Sequence, residues 1–301
     1  MNLQYLLKHP SLFPAVIGIT QLQFDSLVVV FERAYFKCWY RKAWSIDRVR
    51  AVGGGRKTVL KTIREKLFFI LFYYKTYPTF RLASVLFAVD KETTHRWKVF
   101  LEKVLWMTLG HQLVLPRKKV RTMAGMLEIC PDLQDFLVDA TERSIQRPQE
   151  NQEFYYSGKK KRHTVKNQLL IHPSTKKILA ISKTVEGKRH DKQLCDDDGM
   201  ILRAPPGAMG GGDSGYEGIR ELNPLIKIVL PFKKPRKKEL TAAQKETNQV
   251  FSSVRVRVEH VIGALKKFDV LAERYRGRDP IGDCAFKNIA ALYNFTRFTT
   301  S

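Results

Sequence analysis

The spacing of apolar residues changes near Pro131, and this change restricts the chain to a fold of two parts. Before that point, apolar residues such as Phe24, Leu27 and Phe31 recur every three or four positions, which is typical of helices that bury one face. After it, short apolar runs of strand length alternate with segments of helical spacing. We therefore predict an all-α amino-terminal part followed by an α/β part with a mixed sheet.

The order of elements after Pro131 is that of an α/β domain. The predicted strands are Phe136 to Ala140, Thr164 to Ile171, Ile178 to Val185, a segment leading into Asp213, and Ile226 to Leu230. A short helix is predicted near Asp191, with Asp191 as its N-cap, and a long helix from about Thr241 to Phe268.

The long helix has a competing interpretation. Alternation at Val254, Val256 and Val258 fits a strand. Val258 also shares one helical stripe with Val261 and Leu265, and the residues on both sides of this stretch are helix formers. We favour the helix.

The all-α part contains a predicted helix-turn-helix. Gly53 to Gly55 predict a hinge, after which a helix begins at Lys57 and ends before Pro78. A compact helix from Phe80 to Phe87 and a tight turn follow, and Asp90 is the expected N-cap of the next helix.

The helix after Asp90, which is predicted to end near Leu105, has two faces. The inward face holds Trp97, Phe100, Leu101 and Val104. Residues near the start of a recognition helix reach base edges in the major groove. The candidates for base readout are Thr94, His95 and Arg96, and those for phosphate contact are Lys91 and Lys98. An ordinary three-helix bundle with a solvated face fits the same pattern.

The charge balance favours a polyanionic partner. The chain holds 53 Lys and Arg against 29 Asp and Glu, with a net charge of +24. Because cations that neutralise phosphates release condensed counterions, we expect a nucleic acid. No membrane is expected, since the densest apolar run, Leu67 to Tyr74, is far shorter than the ~20 residues of a spanning helix. The 4 cysteines are scattered, which argues against structural zinc and disulfides and fits a reducing cytosol.

Three acidic residues stand out against this basic background: Asp139, Asp213 and Glu259. Carboxylates near phosphate are useful when a divalent cation lies between them, so a metal-dependent nucleic-acid enzyme is the first hypothesis. Taken singly, Asp139 could merely end a strand and Glu259 could merely pair with Arg255. The Gly210 to Gly215 stretch formally fits a dinucleotide-binding motif but lacks its βαβ context, and close backbone approach around the metal better explains its glycines.

Several ordered motifs together resemble the DDE transposases of bacterial insertion sequences, nearest to the IS-five-type group and the related Harbinger-like endonucleases. The motifs are Val138-Asp139-Ala140-Thr141-Glu142, Gln146-Arg147-Pro148, Tyr155-Tyr156-Ser157-Gly158-Lys159-Lys160-Lys161-Arg162-His163, His190-Asp191, Gly212-Asp213-Ser214-Gly215-Tyr216, and Arg255 with Glu259 and Lys266. The resemblance covers the α/β part continuously and the helix-turn-helix more weakly.

The resemblance implies a ribonuclease-H-like fold in which Asp139, Asp213 and Glu259 hold two Mg²⁺ ions, with Mn²⁺ as a substitute. It also implies cleavage that frees a 3′-hydroxyl, followed by strand transfer. The expected partners are double-stranded DNA, as terminal inverted repeats and target, and a second copy of the chain in synapsis. The expected location is the cytoplasm, at the nucleoid. The expected domains are 1–52 (helical), 53–110 (helix-turn-helix), 111–130 (linker) and 131–301 (catalytic).

Further DNA contacts are expected outside the helix-turn-helix. Arg255 and Lys266 match family positions that contact the DNA end, and a basic run beside Tyr155 and Tyr156 is expected to follow the phosphate backbone. That run is Lys159, Lys160, Lys161 and Arg162. A solvated loop is the alternative for the run. For the whole chain, the alternatives are a catalytically silent DNA-binding regulator and a nuclease without strand transfer.

Overall fold

A computed structural model of the chain describes residues 3–44, 58–111, 134–199, 201, 204–218, 223–234, 239–282 and 284–298. The chain forms two compact units. The helical unit comprises Met1–Leu115, Lys266–Glu273 and Cys284–Ser301, and the sheet unit comprises Pro116–Leu265 and Arg274–Asp283. The hinge predicted at Gly53 to Gly55 lies outside the described residues, as does all of the predicted linker except residue 111.

The helices, in chain order, are α1 (Leu3–Leu7), α2 (Phe13–Ile17), α3 (Gln21–Trp44), α4 (Ile63–Thr76), α5 (Phe80–Phe87), α6 (Lys91–His111), α7 (Gln152–Tyr155), α8 (Asp191–Asp198), α9 (Ala242–Leu265), α10 (Asp269–Ala272) and α11 (Ala285–Phe298). Among the described residues, no single helix is long and apolar enough to cross a bilayer. One bent pair, Pro10–Ile17 with Gln21–Tyr40, passes that test jointly, by length and composition alone.

The central helix of the helical unit, α4, begins later than the sequence predicts. Residues 58–62 are not helical, and the start expected at Lys57 is therefore wrong. Thr62 and Glu65 form a capping box that fixes the start at Ile63: the Glu65 N–H donates to Thr62 Oγ1 at 3.2 Å, and the Thr62 N–H donates to the Glu65 carboxylate at 2.8 Å. Residues 66–74 are all buried, which confirms the predicted core helix.

The predicted helix-turn-helix is confirmed as α5, a tight turn and α6. The turn is made by Ala88, whose φ of 52° places it in the left-handed region. Asp90 caps α6 as predicted, since its Oδ1 accepts the Thr93 N–H at 2.7 Å. The helix runs on to His111, beyond the predicted end near Leu105.

The last helix, α11, belongs to the helical unit, which differs from the predicted catalytic domain of 131–301. Buried Asn288 on α11 donates from Nδ2 to the Tyr74 hydroxyl at 2.9 Å and to the Glu102 carbonyl at 3.1 Å. The Tyr74 hydroxyl in turn donates to Glu102 Oε1 at 2.7 Å. This network joins α4, α6 and α11, and it explains why the carboxy-terminal residues pack with the amino-terminal helices.

The sheet unit contains the predicted mixed sheet. Its strands are β1 (Asp135–Ser144), β2 (Tyr156–Ser157), β3 (Arg162–Ile171), β4 (Ile178–Ile181), β5 (Val185–Glu186), β6 (Met209–Gly211) and β7 (Lys227–Val229). The order is β2-β3-β1-β6-β7, with β4 and β5 also paired to β3. β1 and β3 are antiparallel, whereas β1, β6 and β7 are parallel. The fold is a ribonuclease-H-like α/β fold after a helix-turn-helix, as predicted.

Both faces of the sheet are covered. One face carries a core that includes Phe136, Val138, Leu170, Cys195 of α8 and Tyr216. On the other face α9 packs against β1, with Val258, Val261 and Leu265 buried. The stretch that could have been a strand is therefore helix, because its apolar residues form one stripe against the sheet.

The glycines of β6 are explained by packing. A Cβ at Gly210 would lie 2.4 Å from the Phe136 ring, and one at Gly211 would lie 2.8 Å from Leu137. Side chains at residues 210 and 211 would collide with β1, so β6 can pair with β1 only because both residues are glycine. Close approach around a metal, the reason expected from the sequence, does not account for these two glycines.

Replacing Asn288 by Ala is expected to lower the free energy of unfolding of the full chain by about 1–3 kcal/mol, because the Tyr74 hydroxyl and the Glu102 carbonyl lose the bonds that Asn288 donates. Denaturant unfolding followed by fluorescence measures the change. Lys103→Ala, at an exposed position on α6, is the control and should stay within about 0.5 kcal/mol of wild type. Equal midpoints for Asn288→Ala and the control would show that the network does not stabilise the unit.

Candidate active site

Two of the predicted acidic residues are placed together by neighbouring parallel strands. Asp139 lies within β1 opposite Leu169 of β3. Asp213 follows β6, the parallel neighbour of β1, and its Oδ1 accepts the Gly215 N–H at 2.7 Å. The pairing of β1 with β6 therefore brings the two carboxylates close enough for the charge of Asp213 to raise the pKa of Asp139.

Asp139 is half-buried, and its surroundings make its negative charge costly. The pKa of this carboxyl is raised to about 6, first by burial and in smaller part by the charges of Asp213 and Asp191. The Ala140 N–H, which donates to Asp139 Oδ1 at 2.8 Å, and the charge of Arg255 act in the opposite direction. The site therefore favours a proton or another cation at Asp139.

A third carboxylate, Asp191, lies in the same neighbourhood. It is the first residue of α8, and the N-cap is His190, so the predicted N-cap role of Asp191 is wrong. Its Oδ1 instead accepts from Lys166 Nζ at 2.7 Å. The helix start is thus fixed by an ion pair to β3 and not by a side-chain cap.

Asp191 and Asp213 face a common point beside Gly215. A Cβ at residue 215 would lie 2.9 Å from Asp213 Oδ1 and 3.2 Å from Asp191 Oδ2. Any side chain at position 215 would enter this space between two carboxylates, so glycine keeps it open.

Tyr216 lies close to the acidic residues, whose charges act on its hydroxyl. Its side chain is fully buried, and its hydroxyl donates to Gln168 Oε1 at 3.4 Å. Burial, followed by the charges of Asp191 and Asp139, raises the pKa of Tyr216 well above its usual value. Its hydroxyl therefore stays protonated beside the carboxylates.

Glu259, the third predicted acidic residue, makes an ion pair on α9. Its half-exposed carboxylate accepts from Arg255 Nη2 at 2.9 Å. Arg255 in turn lowers the pKa of Asp139, whereas Glu259 is not among the charges that act on Asp139. Across the described part of the chain, no three His, Cys, Asp or Glu side chains are gathered tightly enough to enclose a metal ion.

The predicted base-reading face of α6 needs two corrections. Lys91, His95 and Arg96 are exposed, as predicted. Thr94 is fully buried, and its hydroxyl contacts the Lys91 carbonyl at 2.7 Å, so it faces the core and not a DNA groove. Lys98 is also turned inward, with its Nζ 2.9 Å from Glu102 Oε2, because the buried Glu102 requires a cation.

The remaining basic candidates lie at separate places. The turn between β2 and β3 carries exposed Lys159, Lys160, Lys161 and Arg162. Tyr156 beside this turn is exposed and packs edge-on against His163. Lys266 follows the end of α9 and groups with the helical unit, whereas Arg255 belongs to the sheet unit.

Sequence reasoning did not select Lys166, included Tyr216 only as part of a family motif, and favoured a capping role for Asp191 although His190-Asp191 matches a family position. A signal for Lys166 was present, because a lysine within the apolar run of Thr164 to Ile171 is expected to be buried and paired. The orientation of Asp191 toward Asp213 depends on contacts between distant segments, which no local pattern encodes.

Comparison with known proteins agrees with this geometry. The family model described as "DDE superfamily endonuclease" matches residues 138–294, and that described as "Helix-turn-helix of DDE superfamily endonuclease" matches residues 58–106. No solved structure matches.

Two relatives carry transposase names. The "Probable transposase for insertion sequence element IS702" of Microchaete diplosiphon is 30% identical over 241 residues, which cover 80% of this chain and 83% of the relative. The "Putative transposase for insertion sequence element IS112" of Streptomyces albus G is 24% identical over 290 residues, 95% of each chain. These matches show that the chain belongs to the DDE superfamily of transposase endonucleases.

Proposed function

We propose that this protein is an active DNA transposase. Its helix-turn-helix binds the terminal inverted repeats of a mobile element, and its sheet unit cuts a strand to free a 3′-hydroxyl and joins that end to target DNA. The observation that carries the proposal is the placement of Asp139 on β1 and of Asp213 shortly after β6, its parallel neighbour. Burial of Asp139 and the nearby charge of Asp213 raise the pKa of Asp139 to about 6, and a bound cation would offset that cost, as expected at a catalytic site.

Endonucleases of the DDE superfamily are typically dependent on a divalent metal. The residues present fit such an ion in donor type, since carboxylate oxygens are the ligands that Mg²⁺ prefers. In the described part of the chain these side chains do not enclose an ion as they stand, so the proposal requires Glu259 to leave Arg255 and approach Asp139. Asp139, Asp213 and Glu259 are the residues proposed to hold two Mg²⁺ ions, for which Mn²⁺ can substitute. When bound, the ions would activate the attacking oxygen and stabilise the leaving oxygen.

Arg255 and Glu259 have linked roles in this proposal. In the structure the Arg255 guanidinium binds Glu259. A DNA phosphate offers Arg255 an alternative partner with bidentate geometry, and Glu259 is then released toward Asp139. An exposed ion pair of this kind is worth about 0–1 kcal/mol, so the exchange costs little. The basic turn of Lys159 to Arg162 would hold the backbone of the same DNA.

Recognition of the element end is assigned to the exposed start of α6. Arg96 Nη2 lies 2.8 Å from Thr93 Oγ1, so its side chain is oriented before DNA arrives. The His95 ring packs edge-on against Phe80, which limits its motion. A cavity of about 1020 Å³, lined in part by Val85, Thr93 and Arg96, opens at the turn. This cavity provides a concave surface beside the readout side chains.

The alternatives are a silent DNA-binding regulator and a nuclease without strand transfer. A regulator would gain nothing from a carboxylate whose pKa is raised by burial and by neighbouring acidic charges, so the environment of Asp139 favours the enzyme. Synapsis of two element ends by at least two copies of the chain is part of the proposal. Adding target DNA distinguishes a transposase from a nuclease without strand transfer, because only the transposase yields a product in which the element end is joined to the target.

Asp213→Asn is expected to abolish cleavage of a duplex carrying the element end in Mg²⁺ or Mn²⁺, while binding of that duplex persists. The substitution keeps the side-chain shape and removes the charge that the cation requires. Cleavage is measured on a gel with a 5′-labelled strand. Asp197→Asn, on the exposed side of α8, is the control and should cut like wild type. Equal cutting by Asp213→Asn and wild type would contradict the site.

Asp139→Asn is expected to stabilise the metal-free protein at neutral pH. The folded pKa of about 6 exceeds the unfolded value of about 3.9, so ionisation destabilises the fold progressively from about pH 4 and fully above about pH 6. The gain should be about 1–3 kcal/mol at pH 7.5 and should vanish near pH 4.

Thermal unfolding in EDTA, at pH 4 and at pH 7.5, measures this effect. Mg²⁺ should then raise the melting temperature of wild type more than that of Asp139→Asn. If Asp139→Asn were less stable than wild type at pH 7.5 in EDTA, ionisation of Asp139 would not destabilise the fold.

Arg96→Ala and Lys91→Ala are expected to weaken end binding in different ways. Loss of a base contact at Arg96 should cost about 1–3 kcal/mol and relax specificity at one position. Loss of a phosphate contact at Lys91 should weaken binding to all sequences and reduce the salt slope by about 1. Fluorescence anisotropy across a salt series measures both. Lys103→Ala, an exposed lysine farther along α6, is the control.

A further inference from the structure

Helix α3 carries apolar side chains on two opposite sides. The side that holds Phe24, Leu27 and Phe31 is fully buried, and α3 packs against α4 and α6 of the helical unit. The outward side of a surface helix is normally polar. On α3 it holds large apolar side chains whose exposed fractions are 82% for Leu22, 56% for Val29, 43% for Phe36 and 53% for Tyr40.

The outward residues of α3 follow a heptad spacing. Exposed side chains recur along the helix in alternating steps of four and three residues, which is the pattern of a coiled-coil seam. These six residues, here called the outer seam, are Leu22, Ser26, Val29, Arg33, Phe36 and Tyr40. The rings of its last two members lie in contact, with centroids 6.5 Å apart. A stripe with this repeat is suited to packing against another helix.

Charged side chains flank the outer seam in a pattern that suits a second copy of the same helix. Glu32 and Lys37 are both exposed and lie five residues apart, on opposite flanks of the seam. When two such helices pair in parallel, a residue on one flank lies beside the residue five positions later on the partner. Glu32 of each copy then meets Lys37 of the other, and two-fold symmetry forms this pair twice.

Antiparallel pairing does not offer this charge complementarity. Residues of the same flank would then face each other, so the flank that holds Asp25 and Glu32 would meet its own acidic copy. In the parallel pair Arg33, which lies within the seam, adjoins Glu32 of the other copy. A polar residue at such a position lowers the stability of a helix pair and fixes its register.

The area of the outer seam suits a modest dimer. Its four apolar side chains expose roughly 400–500 Å² per copy, as much as the largest apolar patch of a typical monomer. Together with the flanking charges, two copies would bury on the order of 1,000 Å², the smallest area expected of a specific interface. Association in the micromolar range is therefore expected.

We infer that the outer seam of α3 is the surface through which two copies of this chain pair, in parallel and about a two-fold axis. The inference deepens the synapsis part of the proposed function, because two copies joined here bring two helix-turn-helices into one assembly. Its role in pairing element ends rests on that function, whereas the dimer itself does not.

The charges on this side of α3 favour a second copy over a lipid bilayer. Glu32, Arg33 and Lys37 lie on the seam or beside it, and charged side chains in hydrocarbon are costly. A bilayer would leave them without opposite charges, whereas a second copy of the helix necessarily carries the complementary set.

The test compares the full-length wild type with Val29→Glu and Phe36→Glu. Sedimentation velocity is measured from about 1 to 100 μM, the range expected for an interface of this size. Both positions are exposed, so the fold is expected to survive, and circular dichroism checks it. Val250→Glu, at an exposed valine of α9, is the matched control.

Wild type and the control should dimerise with the same dissociation constant. Each seam variant should raise that constant about 30-fold or more, as loss of an apolar anchor at the centre of an interface does. A wild type that stays monomeric throughout this range, or seam variants that dimerise like wild type, would overturn the inference. Binding of wild type to phosphatidylcholine vesicles that Phe36→Glu abolishes would assign the face to a bilayer and overturn it as well.

Charge-swapped variants test the parallel arrangement without changing the apolar surface. Glu32→Lys and Lys37→Glu should each weaken the dimer about 5- to 10-fold, because both ion pairs become repulsive. Mixing the two variants should restore association to near the wild-type constant, since each copy then supplies the charge that the other lacks. Failure of the mixture to associate better than either variant alone would overturn the parallel arrangement.

The interface and the proposed function fail in different ways. If Val29→Glu is monomeric while Asp213→Asn cuts DNA like wild type, the interface stands and the proposed active site is rejected. If Val29→Glu dimerises like wild type while Asp213→Asn does not cut, the interface is rejected and the proposed function stands. If both proposals hold, Val29→Glu should bind one element end but form no joined product.

Discussion

The partial burial of Asp139 within the sheet, near the charge of Asp213, is the constraint on which the candidate site depends. Asp139 and Asp213 belong to neighbouring strands, and the side chains of β1 pack directly on the glycines of β6. Tight packing between these strands therefore holds like charges together. Burial raises the pKa of Asp139, and the nearby acidic side chains raise it further. The sheet thus holds an arrangement whose electrostatic cost a bound cation would relieve.

The basic character of the chain and its acidic site are complementary. A net charge of +24 attracts DNA, but cationic side chains alone would not place a scissile phosphate against carboxylates. Lys166 and Arg255 each make an ion pair with one of the acidic residues. Lys166 is buried on β3, whereas Arg255 lies at the surface of α9. The first cation is held in place and the second can exchange partners.

The sequence predicted most elements because apolar periodicity reports local burial. The long helix α9 could be distinguished from a strand, since its valines continue into the stripe of Val258, Val261 and Leu265. Thr94 was assigned to the wrong face because its hydroxyl bonds locally, which lets a polar residue be buried at a helix start. The environment of Asp191 could not be predicted, since it depends on contacts with β3 and with the turn at Gly215.

The network around Asn288 has a consequence for the order of folding during synthesis. Helix α11 follows the whole sheet unit along the chain, yet it supplies the donor to Tyr74 and to the Glu102 carbonyl between α4 and α6. On the ribosome, where domains tend to fold as they emerge, the helix-turn-helix must wait for its last partner until the intervening sheet unit has left the exit tunnel. A nascent polypeptide therefore completes the core behind its first helices only after almost all of its remaining residues have been made.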